Sequence, residues 1–266
     1  MSDINLVGVI GGGTMGAGIA EMCARSGSSV LILETSQATA DAAEARLDKS
    51  FARAVKSGRI EADAAEKARA AITLTLDMND FSDRDLVVEA APEIESLKLD
   101  LFGKLDSIVK PEGILATNTS SIPVIKMANA TKRPDKVVGV HFFNPVPVLP
   151  LVEIVVSLVT SEETVATVTD YASNTLGKKT IRAGDRAGFI VNALLIPYMV
   201  SAIRMLESGF ASAEDIDDGM VNGCAHPMGP LRLTDTVGLD VTLAVAESLY
   251  AEFREPHYAP PPLLQR

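Results

Sequence analysis

No stretch limits what this chain can fold into more than residues 6–34, LVGVIGGGTMGAGIAEMCARSGSSVLILE. Leu6 to Ile10 is an apolar run of the length of a buried strand. Gly11, Gly13 and Gly16 follow it in the spacing G-x-G-x-x-G. Met15 to Ser26 carries the apolar spacing of a helix and stops near Gly27. Val30 to Leu33 reads as a second strand, and Glu34 comes eighteen residues after Gly16. Strand, glycine turn, helix, strand and acid within about 30 residues is the dinucleotide-binding pattern. Gly11 permits the tight turn, Gly13 lets a pyrophosphate approach the backbone, and Gly16 lets the helix pack close to the strand. The start of the helix, at Thr14 and Met15, offers free N–H groups and a positive dipole to the phosphates. Glu34 can accept hydrogen bonds from the adenosine ribose, and its charge repels a 2′-phosphate. The pattern therefore points to NAD rather than NADP.

The remaining chain reads as an α/β domain followed by helices. Gln37 to Ala71 is Ala-rich and charged, broken at Gly58, and reads as a helical hairpin projecting from the sheet, either ordinary packing or a lid. Further strands are expected at Thr73–Leu76, Asp85–Ala91, Gly113–Asn118, Val137–Phe143, Leu151–Val156 and Thr180–Ala183, with helices at Ile94–Val109 and Thr164–Leu176. From Gly188 strands cease. A long apolar helix with Pro197 as a kink, then helices at Ala213–Val221 and Leu239–Phe253, lead to a proline-rich tail expected to be irregular. The reading is a Rossmann-type doubly wound sheet over residues 1–185, with the hairpin at about 37–71, and a smaller all-helical domain over 186–266.

Composition narrows the function. A net charge of −11 argues against nucleic acid and against a membrane surface. Cys23 and Cys224 are far apart, form no metal or redox motif, and read as reduced packing residues. No apolar run has the length of a membrane span, and the start, MSDINLV, has no basic region, so a cytoplasmic protein without a signal peptide is expected.

Catalytic groups in such sheets belong at the carboxyl ends of the parallel strands. Ser120 follows a strand there, His141 lies near the end of another, Glu153 sits in the otherwise apolar strand LVEIVV, and Asn192 lies in the apolar helix that opens the second domain. A carboxylate in such a strand is costly to bury unless paired. A His141–Glu153 pair would fix the ring tautomer and raise its basicity, so that the ring could take a hydroxyl proton as hydride leaves. Ser120 and Asn192 could hydrogen-bond the reacting oxygen or a neighbouring carbonyl. A Ser-His-Glu hydrolase is the competing reading. It is disfavoured because Ser120 stands in N-T-S-S and not in a G-x-S-x-G elbow.

The blocks IGGGTMGAGIA, LVVEAAPE, TNTSS, GVHFFNPVPV, LVEIV, GFIVN and HPMGPLRLTDTVGLD run in order through the chain. In these it resembles the L-3-hydroxyacyl-CoA dehydrogenases over essentially its whole length, most closely their bacterial short-chain branch acting on 3-hydroxybutyryl-CoA. The resemblance implies NAD-dependent oxidation of an (S)-3-hydroxyacyl-CoA by a homodimer joined through the helical domain, within fatty-acid or butanoate metabolism. It makes His141 the catalytic histidine, Glu153 its partner, and Ser120 and Asn192 substrate contacts. Glu93, Lys98, Ser120 and Asn144 become cofactor contacts beside the glycine turn, and Ser50 and Lys56 contacts of the hairpin with CoA. The alternative for Lys98 and Lys56 is a solvated helix charge. Two departures stand out: Pro150 occupies a position where the family often has a lysine, and the G-K-K-T-G-x-G-F-Y segment that usually closes the family is missing after Arg266. No metal is implied. The alternatives are a crystallin-like dehydrogenase of a sugar acid such as gulonate, and a non-catalytic NAD-binding protein.

Overall fold

Continuous apolar runs such as LVGVI and VVGVHF suit strands covered on both faces. The computed structural model describes residues 4–266 and forms eight such strands into one sheet. They are β1 (Leu6–Ile10), β2 (Ser29–Leu33), β3 (Ile72–Thr75), β4 (Leu86–Glu89), β5 (Ile114–Thr117), β6 (Val137–Phe142), β7 (Leu151–Val156) and β8 (Lys179–Gly184). Their order is β3-β2-β1-β4-β5-β6-β7-β8. Strands β1 to β6 are parallel, whereas β7 pairs antiparallel to β6 and β8 runs with β7. The doubly wound Rossmann-type sheet is thus present, with a reversed pair at one edge. The order of strands turns back between β1 and β4, which opens a crevice at their carboxyl ends.

The sheet belongs to one compact unit, residues up to Thr119 together with Pro123–Asp185. Its helices are α1 (Thr14–Arg25), α2 (Gln37–Lys56), α3 (Ala62–Ala70), α4 (Glu95–Ile108), α5 (Val124–Asn129) and α6 (Glu162–Asp170), the last continuing into a π-helical turn over Tyr171–Thr175. The α2–α3 pair packs against the core along one face of α2. Ala40, Ala43, Leu47, Phe51 and Ala54 are buried along the length of α2, and Leu47, Phe51, Ala65 and Ala68 join the core that α1 and β2 share. The pair is the crossover that a parallel β2–β3 connection requires. Ser36 begins it with a capping box, its hydroxyl accepting from Thr39 N–H.

The second unit comprises Ser120–Ile122 and Arg186–Arg266. It contains α7 (Val191–Glu207), α8 (Ala213–Cys224), α9 (Pro230–Val237), α10 (Leu239–Phe253) and α11 (Pro262–Gln265). Ile196, Met199, Val200 and Ile203 of α7 pack with Val245, Ala246 and Leu249 of α10. The tail is more ordered than its prolines suggest. Arg204 donates to the carbonyls of Pro256 and Ala259, and Glu207 accepts the Leu263 N–H that opens α11. The cysteines divide. Cys23 is buried, which pushes its thiol up to about 11 and keeps it inert, but Cys224 is exposed and is not a packing residue. Among the described residues no helix is long and apolar enough to cross a membrane.

Candidate active site

The glycine turn joins β1 to α1. A β-carbon on Gly16 would lie 1.8 Å from the Gly11 carbonyl oxygen, so only glycine lets α1 start this close to the strand. At Gly13 the same construction meets nothing within 4 Å, which leaves room for a phosphate against the backbone. Gly13 and Thr14 are exposed, the first turn of α1 has no acidic side chain, and Met15 is half-buried against the core. An anion at this helix start meets the helix's free N–H donors and no acidic side chain in its first turn, so the residues present fit a dinucleotide. Glu34, just past β2, is half-buried and accepts the Gly12 N–H at 2.5 Å.

At the other side of the switch point, β6 and β7 place His141 directly opposite Glu153. Directly opposed residues of an antiparallel pair share a face of the sheet. The side chains accordingly meet, with 2.7 Å between His141 Nδ1 and Glu153 Oε2. Glu153 is fully buried and His141 nearly so. An ionised carboxylate only accepts, so Nδ1 carries the hydrogen and Nε2 is the basic nitrogen of the neutral ring. Phe143 lies against the imidazole, centroids 4.6 Å apart. Asn118, just after β5, accepts the Phe142 N–H at 2.9 Å and ties the end of β6 to that loop. Because β7 is reversed, Glu153 lies near the start of its strand, not at a carboxyl end.

A second buried cluster closes β4. Lys98 of α4 is 1 % exposed and is not a solvated helix charge. Its ammonium stands 2.8 and 2.9 Å from the two oxygens of Glu89 and 2.9 Å from Glu93 Oε2. Glu89 also accepts from Thr117 Oγ1 and the Ala91 N–H, and Thr119 Oγ1 donates to Glu93. Three carboxylate oxygens around one ammonium compensate the cost of burying it. Glu89 stands in the apolar run LVVEAA, an acid with the same signal in the sequence as Glu153 in LVEIVV.

Asn144 is exposed and precedes a cis bond to Pro145. The loop that follows is held by Lys178, whose buried ammonium donates to the carbonyls of Val146 and Leu149 at 2.6 and 2.7 Å. Burial pushes the pKa of Lys178 down, with help from Arg25. A basic side chain thus does reach the chain just ahead of Pro150, supplied from 28 residues further on. Ser50 is half-buried in the middle of α2 and Lys56 is exposed at its end. Ser120 and Asn192 fall in the second unit, Asn192 in the first turn of α7.

Residues 6–186 match the NAD-binding domain of 3-hydroxyacyl-CoA dehydrogenase, and residues 188–266 match its C-terminal domain. A 3-hydroxybutyryl-CoA dehydrogenase of Mycobacterium tuberculosis is 53% identical over 268 residues, covering 100% of this chain and 94% of the relative. The crystal structure of M. tuberculosis FadB2 superimposes with a TM-score of 0.97 at 53% identity, over 99% of this chain and 93% of that one. The (S)-3-hydroxybutyryl-CoA dehydrogenase of Ralstonia eutropha gives a TM-score of 0.93 at 42% identity, over 99% and 93% of the two chains. The chain belongs to the 3-hydroxyacyl-CoA dehydrogenase family, an NAD-binding domain followed by the family's C-terminal domain.

Proposed function

We propose that this protein oxidises (S)-3-hydroxybutyryl-CoA to the 3-oxoacyl-CoA with NAD, and runs the reverse reaction, with His141 and Glu153 as the acid–base pair. The observation that carries the reading is the 2.7 Å bond between His141 Nδ1 and Glu153, on a sheet that also holds the dinucleotide turn. Bound NAD supplies the hydride acceptor. His141 Nε2 takes the 3-hydroxyl proton during oxidation and returns it during reduction, and the Glu153 carboxylate stabilises the imidazolium formed between. Ser120 and Asn192 are assigned hydrogen bonds to the reacting oxygen and to the thioester carbonyl. Lys98 holds Glu93 for its cofactor contact, and Asn144 contributes from the loop after β6.

CoA recognition is assigned to the outer side of α2. Lys49, Arg53 and Lys56 are exposed and recur at helical spacing, which puts them on one face. None has an ion-pair partner among the described residues, unlike Arg69, which pairs with Glu44 and Asp48. In a chain of net charge −11 an unpaired basic stripe suits the phosphates of CoA. Lys49 and Arg53 join Ser50 and Lys56 in that assignment. The proposed homodimer forms through the helical unit, where Leu194, Phe210 and Leu239 are more than half exposed.

A steady-state assay separates the readings. Oxidation of NADH with acetoacetyl-CoA, and no reduction of NAD with gulonate, is the expected result. Turnover of gulonate alone would favour the crystallin-like branch, and no turnover with either would favour a binding protein.

A further inference from the structure

Gly12, the middle residue of the glycine run, is gripped from two sides. Its N–H donates to Glu34 Oε1 at 2.5 Å, and its carbonyl accepts from Arg46 Nη1 at 2.6 Å. The packing of α2 explains why an arginine arrives there. A β-carbon on Gly12 would lie 2.5 Å from Ala43 Cβ and 2.9 Å from Glu34 Oε1, so α2 lies directly against the turn. Arg46 is three residues beyond Ala43, on the same face of the helix. Arg46 is exposed and has no ion-pair partner among the described residues, while the neighbouring acids Glu44 and Asp48 are engaged by Arg69. An unpaired guanidinium is therefore fixed within one residue's breadth of the acid assigned to the adenosine ribose.

We infer that Arg46 is a cofactor-discriminating residue, a cation positioned for an adenosine 2′-phosphate whose affinity Glu34 masks. This rests on the reading that Glu34 faces the adenosine ribose of a dinucleotide. The two side chains oppose each other over one group: a 2′-hydroxyl donates to Glu34, and a 2′-phosphate accepts from Arg46. Glu34 prevails in the native chain. Its carboxylate is half-buried and pinned by the Gly12 N–H, so its repulsion of a phosphate is weakly screened. Arg46 is out in solvent, where screening weakens its attraction. Removing the acid alone should therefore unmask the cation.

The test is equilibrium binding, without turnover, of NAD and NADP by calorimetry to the full chain. The variants are Glu34→Gln, Arg46→Ala and the double substitution, with circular dichroism to confirm folding. Gln at 34 keeps an acceptor for the Gly12 N–H, and Glu34→Ser serves if Gln proves too bulky for a phosphate. Loss of the acid should tighten NADP at least about tenfold relative to NAD. Adding Arg46→Ala should then weaken NADP about tenfold more than it weakens NAD. Equal weakening of both dinucleotides would overturn the inference, since Arg46 would then only brace the turn. Unchanged NADP binding with weakened binding of CoA would also overturn it, placing Arg46 in the CoA stripe. If substituting Glu34 changes the relative binding of the two dinucleotides by less than a factor of two, the ribose reading of Glu34 fails as well, and with it the inference.

Discussion

At the scale of single residues, burial decides what a charge can do. Glu153 is fully buried and bonded to one imidazole nitrogen. Glu153→Gln keeps a hydrogen-bonding group against the ring but removes the charge to which stabilisation of the imidazolium is assigned. It should lower kcat by about 10-fold or more while the fold persists. Unchanged kcat in a folded Glu153→Gln protein would reduce the pair to a packing feature. Lys98 makes a different prediction. Lys98→Met leaves the fully buried Glu89 carboxylate without its ammonium partner, and breaking such a buried pair typically costs about 3–5 kcal/mol. Urea unfolding measures it, and a loss below about 1 kcal/mol would mean that the carboxylates rearrange without strain. The His141–Glu153 pair was legible in the sequence because an acid in LVEIVV needs a partner and few candidates exist. The Lys98 cluster was not, because a lysine in a helix reads as solvated until its helix is docked on a strand end. Arg46 was not legible either, since nothing local marks one exposed arginine among four bases on α2.

At the scale of elements, the two ends of the sheet serve different ends. Opposite the crevice, Asp85 accepts the N–H groups of Asn5 and Leu6 at 2.9 and 2.8 Å and pairs with Lys110 at 2.5 Å. It thereby ties the entrances of β1, β4 and β5. Burial pushes the Asp85 carboxyl up, but the hydrogen bonds from Lys110, Leu6 and Asn5 outweigh it, and the pKa is lowered overall. A carboxyl whose folded pKa is depressed adds stability above its unfolded value, near 4, and loses it as pH falls through the folded one. Asp85→Asn should destabilise by about 1–2 kcal/mol near neutral pH, and its gap from the native protein should narrow below pH 4. A gap that stays constant down to pH 3 would show that charge plays no part. The β1–α1–β2 unit could be read in advance because every determinant is local. The reversal of β7 and β8 could not, since a buried apolar run looks alike in parallel and antiparallel pairs. The helix α9 is not legible in the sequence either, because PLRLTDTV is half polar and lies between glycines.

At the scale of the whole molecule, binding energy far from the reacting carbon should matter. If the basic stripe on α2 holds CoA, an N-acetylcysteamine thioester should lose much of the kcat/KM that acetoacetyl-CoA shows. Equal efficiency would make α2 purely structural. Sedimentation equilibrium should give twice the 28.1 kDa chain mass, and charged substitutions at Leu194 or Phe210 should shift it towards the monomer. A monomer at micromolar concentration would remove dimerisation from the proposal. In the proposed reaction this chain moves a proton through His141 while a nicotinamide takes the hydride. The deciding measurement is kcat of the His141→Gln protein with acetoacetyl-CoA and NADH, alongside its Kd for NADH. Proton transfer of this kind contributes about 10²–10⁴-fold. A fall of that order is expected, with NADH binding near native because the cofactor phosphates are assigned to the glycine turn, Gly11 to Gly16, and not to His141. A folded variant that keeps kcat within about threefold of the native value, well short of that range, would contradict it.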